Sequence, residues 1–402
     1  MSALYRGTIS APLLGAVWMI VLATTVAVAM SFATGDPFRP VIWAAFLWGA
    51  AMGGVMVLRL AGPAGQWIVA ALVLAGTLLG VGPMQIEAGP IATAFAGAVL
   101  GVAFARSMVW IIGDLPTGEL TRHEFEHASI RFLTAFGFVF FVAIVLIPFY
   151  VMVMTSLKNQ ADLMANPLDF SIDLSQGAEL FRSYTELLTE FSFGRYLWTS
   201  FFVSVLTVAI TLAFSIPGAY AIARLRFKGQ AIMSRSILLI YMVPMIVLAL
   251  PIYIAFSITG LRNTIFGIIL IYPVTTIPVA LYMLQGYFRG LPAEVEEAGL
   301  MDGLTRLAVI WKITLPLSLP ALASVSLYVF MIAWNEFLLA FMLLDDPTKF
   351  TLTRGIASLN SSEIPRQHLM AGAVIATLPI MAIFLGLERF MTKGLTAGSV
   401  KG

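Results

Sequence analysis

Residues 291–316 read Leu291-Pro292-Ala293-Glu294-Val295-Glu296-Glu297-Ala298-Gly299-Leu300-Met301-Asp302-Gly303, then Leu304-Thr305-Arg306-Leu307-Ala308-Val309-Ile310-Trp311-Lys312-Ile313-Thr314-Leu315-Pro316, a polar island between two apolar runs. Pro292 suits the first turn of a helix, and the acids after it complement the positive end of the helix dipole. Gly303 suits a helix stop that needs a left-handed residue. A second amphipathic segment, Leu304 to Thr314, follows, and Pro316 opens the next apolar run. The pattern predicts a helix–turn–helix outside an apolar phase. It is too long for a plain connection, and loops of this size tend to carry function.

The composition identifies the apolar phase. Of 402 residues, 60% are hydrophobic and 11% charged, and the mean hydropathy is +0.94. A soluble domain carries roughly 25% charged residues, so there is too little polar surface to coat a globule in water. That excludes a water-soluble enzyme. A net charge of +2 leaves no basic excess to hold a phosphate backbone, which excludes nucleic acid as a partner. Cysteine is absent, so disulfides, thiolate metal sites and cysteine nucleophiles are excluded as well.

A bilayer needs about 20 mostly apolar residues per helix, and about ten such stretches are present. Four lie near 11–33, 40–58, 66–84 and 90–112, and six near 131–155, 196–223, 234–258, 264–288, 316–343 and 369–391. The first is too long for a signal-peptide core and reads as a retained helix. The expected fold is an all-α polytopic membrane protein, with a six-helix core preceded by a four-helix module. Residues 1–112 form that module, 113–130 a polar linker with an interfacial helix, and 131–402 the core with its loop at 290–316.

With the N-terminus inside, the short inner loops carry Arg59, Arg122, Arg224, Arg226, Lys228, Arg235, Arg289, Arg306, Lys312, Lys393 and Lys401. The long outer loop near 159–194 holds Asp162, Asp169, Asp173, Glu179, Glu186 and Glu190 against one base, Arg182. The positive-inside rule then places both termini in the cytoplasm. In the first module Gly49/Gly53, Gly76/Gly80 and Gly97/Gly101 are spaced as GxxxG, which lets helix backbones approach closely, although glycine-rich spans also produce this spacing by chance.

His123-Glu124-Phe125-Glu126-His127 fits H-E-x-x-H, the pattern of a zinc protease with Glu124 as general base. A third ligand is lacking, because the remaining histidine, His368, falls beside an outer loop. The plainer reading is an interfacial helix from Leu120 to Arg131, with no metal bound.

Returning to the loop, Glu297-Ala298-Gly299, Gly303, Ile313, Leu315 and Pro316 resemble the E-A-A-x-x-x-G-x(9)-I-x-L-P loop of bacterial ABC importer permeases, with Gly299 where alanine is usual. Asp302 lies inside the same motif. Gly299 for alanine is a small-for-small exchange, expected to loosen the helix slightly. Ala219-Tyr220-Ala221-Ile222-Ala223-Arg224 and Trp334-Asn335-Glu336-Phe337 resemble segments of the sugar permeases. The ending Gly394-Leu395-Thr396-Ala397-Gly398-Ser399-Val400-Lys401-Gly402 is similar to the tail of maltose-type permease subunits. The resemblance covers residues 131–402 and leaves 1–112 unexplained. It implies an inner-membrane subunit whose loop seats in a separate ATPase and whose tail, from Gly394 to Lys401, reaches into the ATPase dimer. A second permease and an extracytoplasmic sugar-binding protein complete the implied assembly. The cargo would be a di- or oligosaccharide such as an α-glucoside. The chain would bind no cofactor itself, ATP and Mg²⁺ being used by the ATPase. None of the six lysines precedes Ser or Thr, as a phosphate-cradling Gly-Lys-Ser/Thr loop requires.

For the sugar path, Tyr328, Trp334, Asn335 and Glu336 are the candidates. A sugar packs its C–H face on rings and hydrogen-bonds through its hydroxyls, and an ionisable group at membrane depth usually faces a cavity or partner. The alternative is that Glu336 sits in water at the outer interface. Pro217, Pro244, Pro251, Pro273, Pro278, Pro320 and Pro379 predict kinks in the core spans. An ion-coupled secondary transporter is the alternative function, and Glu336 is its one acid within the core spans away from their ends.

Overall fold

A computed structural model describes every residue except 1–5, 59–63, 114, 167–169, 173, 361–363 and 399–402, and, of side chains, also excepts 174, 238, 241 and 389–398. The chain forms two compact units, Met1–Arg182 and Ser183–Gly402. Among the described residues, six helices are long and apolar enough to cross a membrane, or seven when a bent pair is counted as one span.

In the first unit α1 spans Gly7–Thr34 and stops at Gly35, whose φ of 76° closes the helix with a bond to the Ser31 carbonyl. The chain continues as β1 (Phe38–Pro40), α2 (Ile42–Val57), α3 (Gly65–Leu78), β2 (Met84–Ile86) and α4 (Pro90–Ile112). At 16 and 14 residues, α2 and α3 are only about 24 and 21 Å long. They fall short of the full spans expected at 40–58 and 66–84. The β1–β2 pair is antiparallel, Phe38 opposite Ile86, and corrects a purely α reading by linking the α1–α2 and α3–α4 connections. Gly15, Gly49 and Gly53 bring α1 and α2 into backbone contact: a Cβ on Gly49 would lie 2.2 Å from the Gly15 carbonyl oxygen. Gly101 does the same between α4 and the Ala70 backbone of α3, Gly97 admits the Leu74 and Thr77 side chains of α3, and Gly80 faces open space.

Helix α5 (Arg122–Ser156) merges the expected interfacial helix with the first core span. Its Phe125, Ala128, Phe132, Ala135 and Val139 pack into the core formed by α1 to α4. The compact units therefore divide at Arg182, beyond the polar linker 113–130. Helix α6 (Gln160–Ala165) and a short 3₁₀ run (Leu174–Phe181) complete this unit.

The second unit opens with α7 (Arg182–Thr189) and α8 (Phe193–Arg224). The run expected as one span at 234–258 is two helices, α9 (Gln230–Tyr241) and α10 (Met245–Ile258). Pro244 is extended (ψ 126°), and its ring forbids continuing the helical ladder. Next come α11 (Ile265–Gly290), α12 (Ala293–Met301), α13 (Arg306–Val309), a π turn at Ile310–Thr314 and α14 (Leu315–Leu317). Helix α15 (Leu319–Asn335) departs from the preceding segment with a 79° bend. The run to 343 is broken again by extended Glu336, after which α16 (Leu338–Leu343), α17 (Leu352–Ser358) and α18 (Arg366–Gly398) follow. Helix α8 packs on α11 and α15, and α15 on α18. Its buried stripe Ser200, Ser204, Thr207, Thr211 and Ser215 recurs every three or four residues, and Thr211 bonds Thr276 across to α11 at 2.7 Å. Small hydroxyl residues let membrane helices approach where lipid gives no hydrophobic drive.

Candidate functional site

The loop 290–316 folds as α12, a left-handed stop and a returning helical segment. Pro292 is the residue before α12, and Glu294 and Glu296 occupy its first turn. At the far end Gly303 has φ 85°. Its N–H donates to Leu300 at 3.1 Å, and the Leu304 N–H reaches back to Gly299 at 3.1 Å. These two bonds are a Schellman closure, which satisfies carbonyls the helix end leaves free.

The two neighbouring acids part company. Glu297 is exposed with Ala298, Met301 and Asp302, while Glu296 is buried at 7% exposure. Tyr220 Oη donates to Glu296 Oε2 at 3.2 Å, and Thr314 Oγ1 donates to Oε1 at 3.1 Å. The Arg224 guanidinium stands 3.4 Å from the same carboxylate and donates to the Leu291 carbonyl at 2.7 Å. The last turn of α8 thus holds α12 at its approach and at its middle. Glu296 escaped the sequence reading because acids beside a soluble loop are expected in water. A signal existed: Glu296 and Gly299 lie three apart, on one helix face.

Gly299 does more than loosen the helix. A Cβ there would lie 2.5 Å from Ile313 Cδ1, so the glycine admits Ile313 against α12. Ile313 and Leu315 are half-buried, and Pro316 is exposed. Leu307 and Trp311 are each 71% exposed, and Met301 88%.

The path candidates separate as well. Trp334 is buried at 2% exposure, stacks on Phe330 at 5.5 Å and donates Nε1 to the Ala376 carbonyl at 3.1 Å. It is a packing ring and offers no open face to a sugar. Glu336 accepts the N–H groups of Leu339 at 2.8 Å and Ala340 at 3.1 Å, so it caps α16 at the break. Asn335 is exposed, its Nδ2 donating to Met331, and Tyr328 is half-buried. At the N-terminal end of α11, Asn263 adopts φ 55° and accepts the N–H groups of Asp345 and Asp346 at 3.1 and 3.0 Å. Arg262 pairs with Asp345 at the same turn.

The zinc reading fails on the first turn of α5. Glu124 Oε2 accepts the Thr121 N–H at 2.8 Å, and the Thr121 side chain returns the bond, a capping box. Among the described residues no group of three or more His, Asp and Glu could hold a metal. His368 instead meets Glu186 at 2.7 Å. In the tail, the backbone of Gly394, Leu395, Thr396, Ala397 and Gly398 continues α18, while their side chains and Lys401 lie outside the described residues. Arg59, Asp114, Asp169 and Asp173 lie outside them too.

Residues 206–396 match the family described as "Binding-protein-dependent transport system inner membrane component". The inner membrane ABC transporter permease protein YcjP of Escherichia coli is 37% identical over 270 residues, 66% of this chain and 95% of that protein. The trehalose/maltose transport system permease protein MalG of Thermococcus litoralis is 32% identical over 281 residues, 69% of this chain and 99% of that protein. A bacterial ABC transporter involved in import of the acidic polysaccharide alginate has a chain of like fold. Its TM-score is 0.56 at 23% identity, covering 68% of this chain and 99% of that one. With the helix–turn–helix loop, its Schellman stop and the apolar helices already in place, these likenesses settle the family: the chain belongs to the binding-protein-dependent transport system inner membrane components, the multi-pass permeases of ABC importers.

Proposed function

We propose that this chain is the transmembrane subunit of an ATP-driven importer that carries a di- or oligosaccharide from an extracytoplasmic binding protein into the cytoplasm. The observation that carries this reading is α12, a helix outside the spans, closed at Gly303 and gripped from within by α8. Such a helix needs a cytoplasmic partner to push it. That partner is a pair of ATP-binding subunits, which use ATP and Mg²⁺ while this chain binds no cofactor.

A second permease completes the path, and both termini lie in the cytoplasm. The reading retains about ten apolar stretches, four of them in the N-terminal addition. The relative named for trehalose and maltose supports an α-glucoside as cargo. Asn335 and Tyr328 are the path residues of this subunit, while Trp334 and Glu336 brace them. The tail from Gly394 to Lys401 contacts the ATP-binding pair.

The test is uptake of radiolabelled maltose, trehalose and arabinobiose by cells with and without the gene, together with mild-detergent purification of the tagged chain. Loss of uptake for one sugar, with an ATP-binding subunit and a second permease in the eluate, is the expected result. A chain that purifies alone from cells whose uptake of all three is unchanged on deletion would refute it.

A further inference from the structure

Helix α12 presents two unlike faces. The outer one carries Glu297, Met301 and Asp302, all exposed. On the inner face a single carboxylate, Glu296, is held by Tyr220 and Thr314 and faced by Arg224, and all three of these side chains come from outside α12. Tyr220 and Arg224 belong to the last turns of α8, and Tyr220 also sets its ring edge-on to Phe288 near the end of α11, 6.3 Å away. Thr314 belongs to the π turn that leads toward α15. The end of α8 and the π turn therefore converge on one side chain of α12, with α11 packed behind Tyr220.

A buried ion pair adds little net stability, because desolvation offsets the attraction, and its better attested use is to fix position. An apolar contact at this place would hold α12 nearly as firmly but would let it slide, whereas two directed bonds, one on each carboxylate oxygen, with the Arg224 guanidinium beside them, fix its register. Displacement of α12 then moves the end of α8 with it.

We propose that Glu296, with Tyr220, Arg224 and Thr314, is the link through which displacement of α12 is delivered to α8, so that these four are positioning residues for transport and Glu297 is not one of them. The inference rests on the importer reading. Removing the link uncouples the two activities: the ATP-binding subunit stays docked on the outer face and hydrolyses ATP, while the membrane helices no longer follow.

The test uses the full complex and the sugar among maltose, trehalose and arabinobiose that the wild type takes up. Cells producing wild type, Glu296→Ala, Glu296→Gln or Thr314→Val are assayed for uptake. The extracted complexes are assayed for vanadate-sensitive ATP hydrolysis and for ATP-binding subunit retained. Glu296→Ala is expected to keep the subunit and its hydrolysis but to lower uptake about tenfold, within the usual range of coupling between sites. Glu296→Gln keeps an acceptor for one of the two hydroxyls and is expected to restore part of the loss. Wild-type uptake in Glu296→Ala would overturn the proposal. So would release of the ATP-binding subunit, which assigns Glu296 to docking, or failure of all three variants to accumulate, which assigns it to folding. Absence of an ATP-binding subunit from the wild-type eluate would instead strike the importer reading beneath it.

Discussion

Gly303 stands at φ 85° with open space where a side chain would begin. A Cβ in that conformation costs roughly 1–2 kcal/mol, so Gly303→Ala should be strained by backbone alone and lower uptake modestly. Gly303→Pro removes the N–H that donates to Leu300 and forces φ to about −65°. It should abolish uptake, and a Gly303→Pro strain with normal uptake would contradict a coupling role for the loop. Gly299→Ala sets a helix-propensity gain of about 1 kcal/mol against displacement of the Ile313 methyl end, and should be close to neutral in thermal unfolding. At Asp346, the bonds from the Thr348 hydroxyl and N–H, with Lys349 beside them, hold the carboxyl below its ordinary range. A depressed folded value means that the contribution is whole above the unfolded value of about 3.9 and disappears as pH falls through the folded one. Detergent-extracted Asp346→Asn should melt below the wild type at pH 7, and the difference should close in strong acid. At this scale the glycine stop was legible, because its conformation is local. The choice between Glu296 and Glu297 was not, since it depends on where Tyr220 and Arg224 arrive from another helix.

Between elements, close backbone approach does the packing. Gly49 sits against Gly15 and Ala16 of α1, with Met19 beside them, and no side chain there could rotate out of a backbone's way. Gly49→Leu should therefore cost about 1–3 kcal/mol or more as overpacking, read as a lower melting temperature of the extracted protein. Gly80→Leu, in open space but at φ 72°, should affect the local turn and leave α1–α2 packing intact. Two of the three GxxxG pairs thus serve helix contacts within this chain, and the sequence spacing could not say which. Pro244 announced its break, but the one at Glu336 had the same character as the glycine pairs. Apolar runs announce length, but whether a run bends depends on what takes up the freed backbone groups. Glu336 takes up two at the start of α16.

For the whole molecule, the relatives are matched over nearly their full length while covering about two thirds of this chain. Within the first unit, α5 packs its Phe125, Ala128 and Phe132 into the core of α1 to α4. A chain beginning at 121 should still retain the ATP-binding subunit, with α5 cut faster by protease than in the full chain. Equal protection of α5 in both would show that α1 to α4 do not support it. By itself the sequence determined residence in a membrane, helical secondary structure, the helix–turn–helix at 291–316 and its stop at Gly303. Each follows from local length, polarity and backbone freedom, which need no neighbour. The tertiary structure alone decided that Glu296 is the buried acid, that Trp334 is a packing ring, and that the compact units divide at Arg182. Those are questions of which surfaces meet, and burial and hydrogen-bond pairing are settled by residues tens of positions away along the chain.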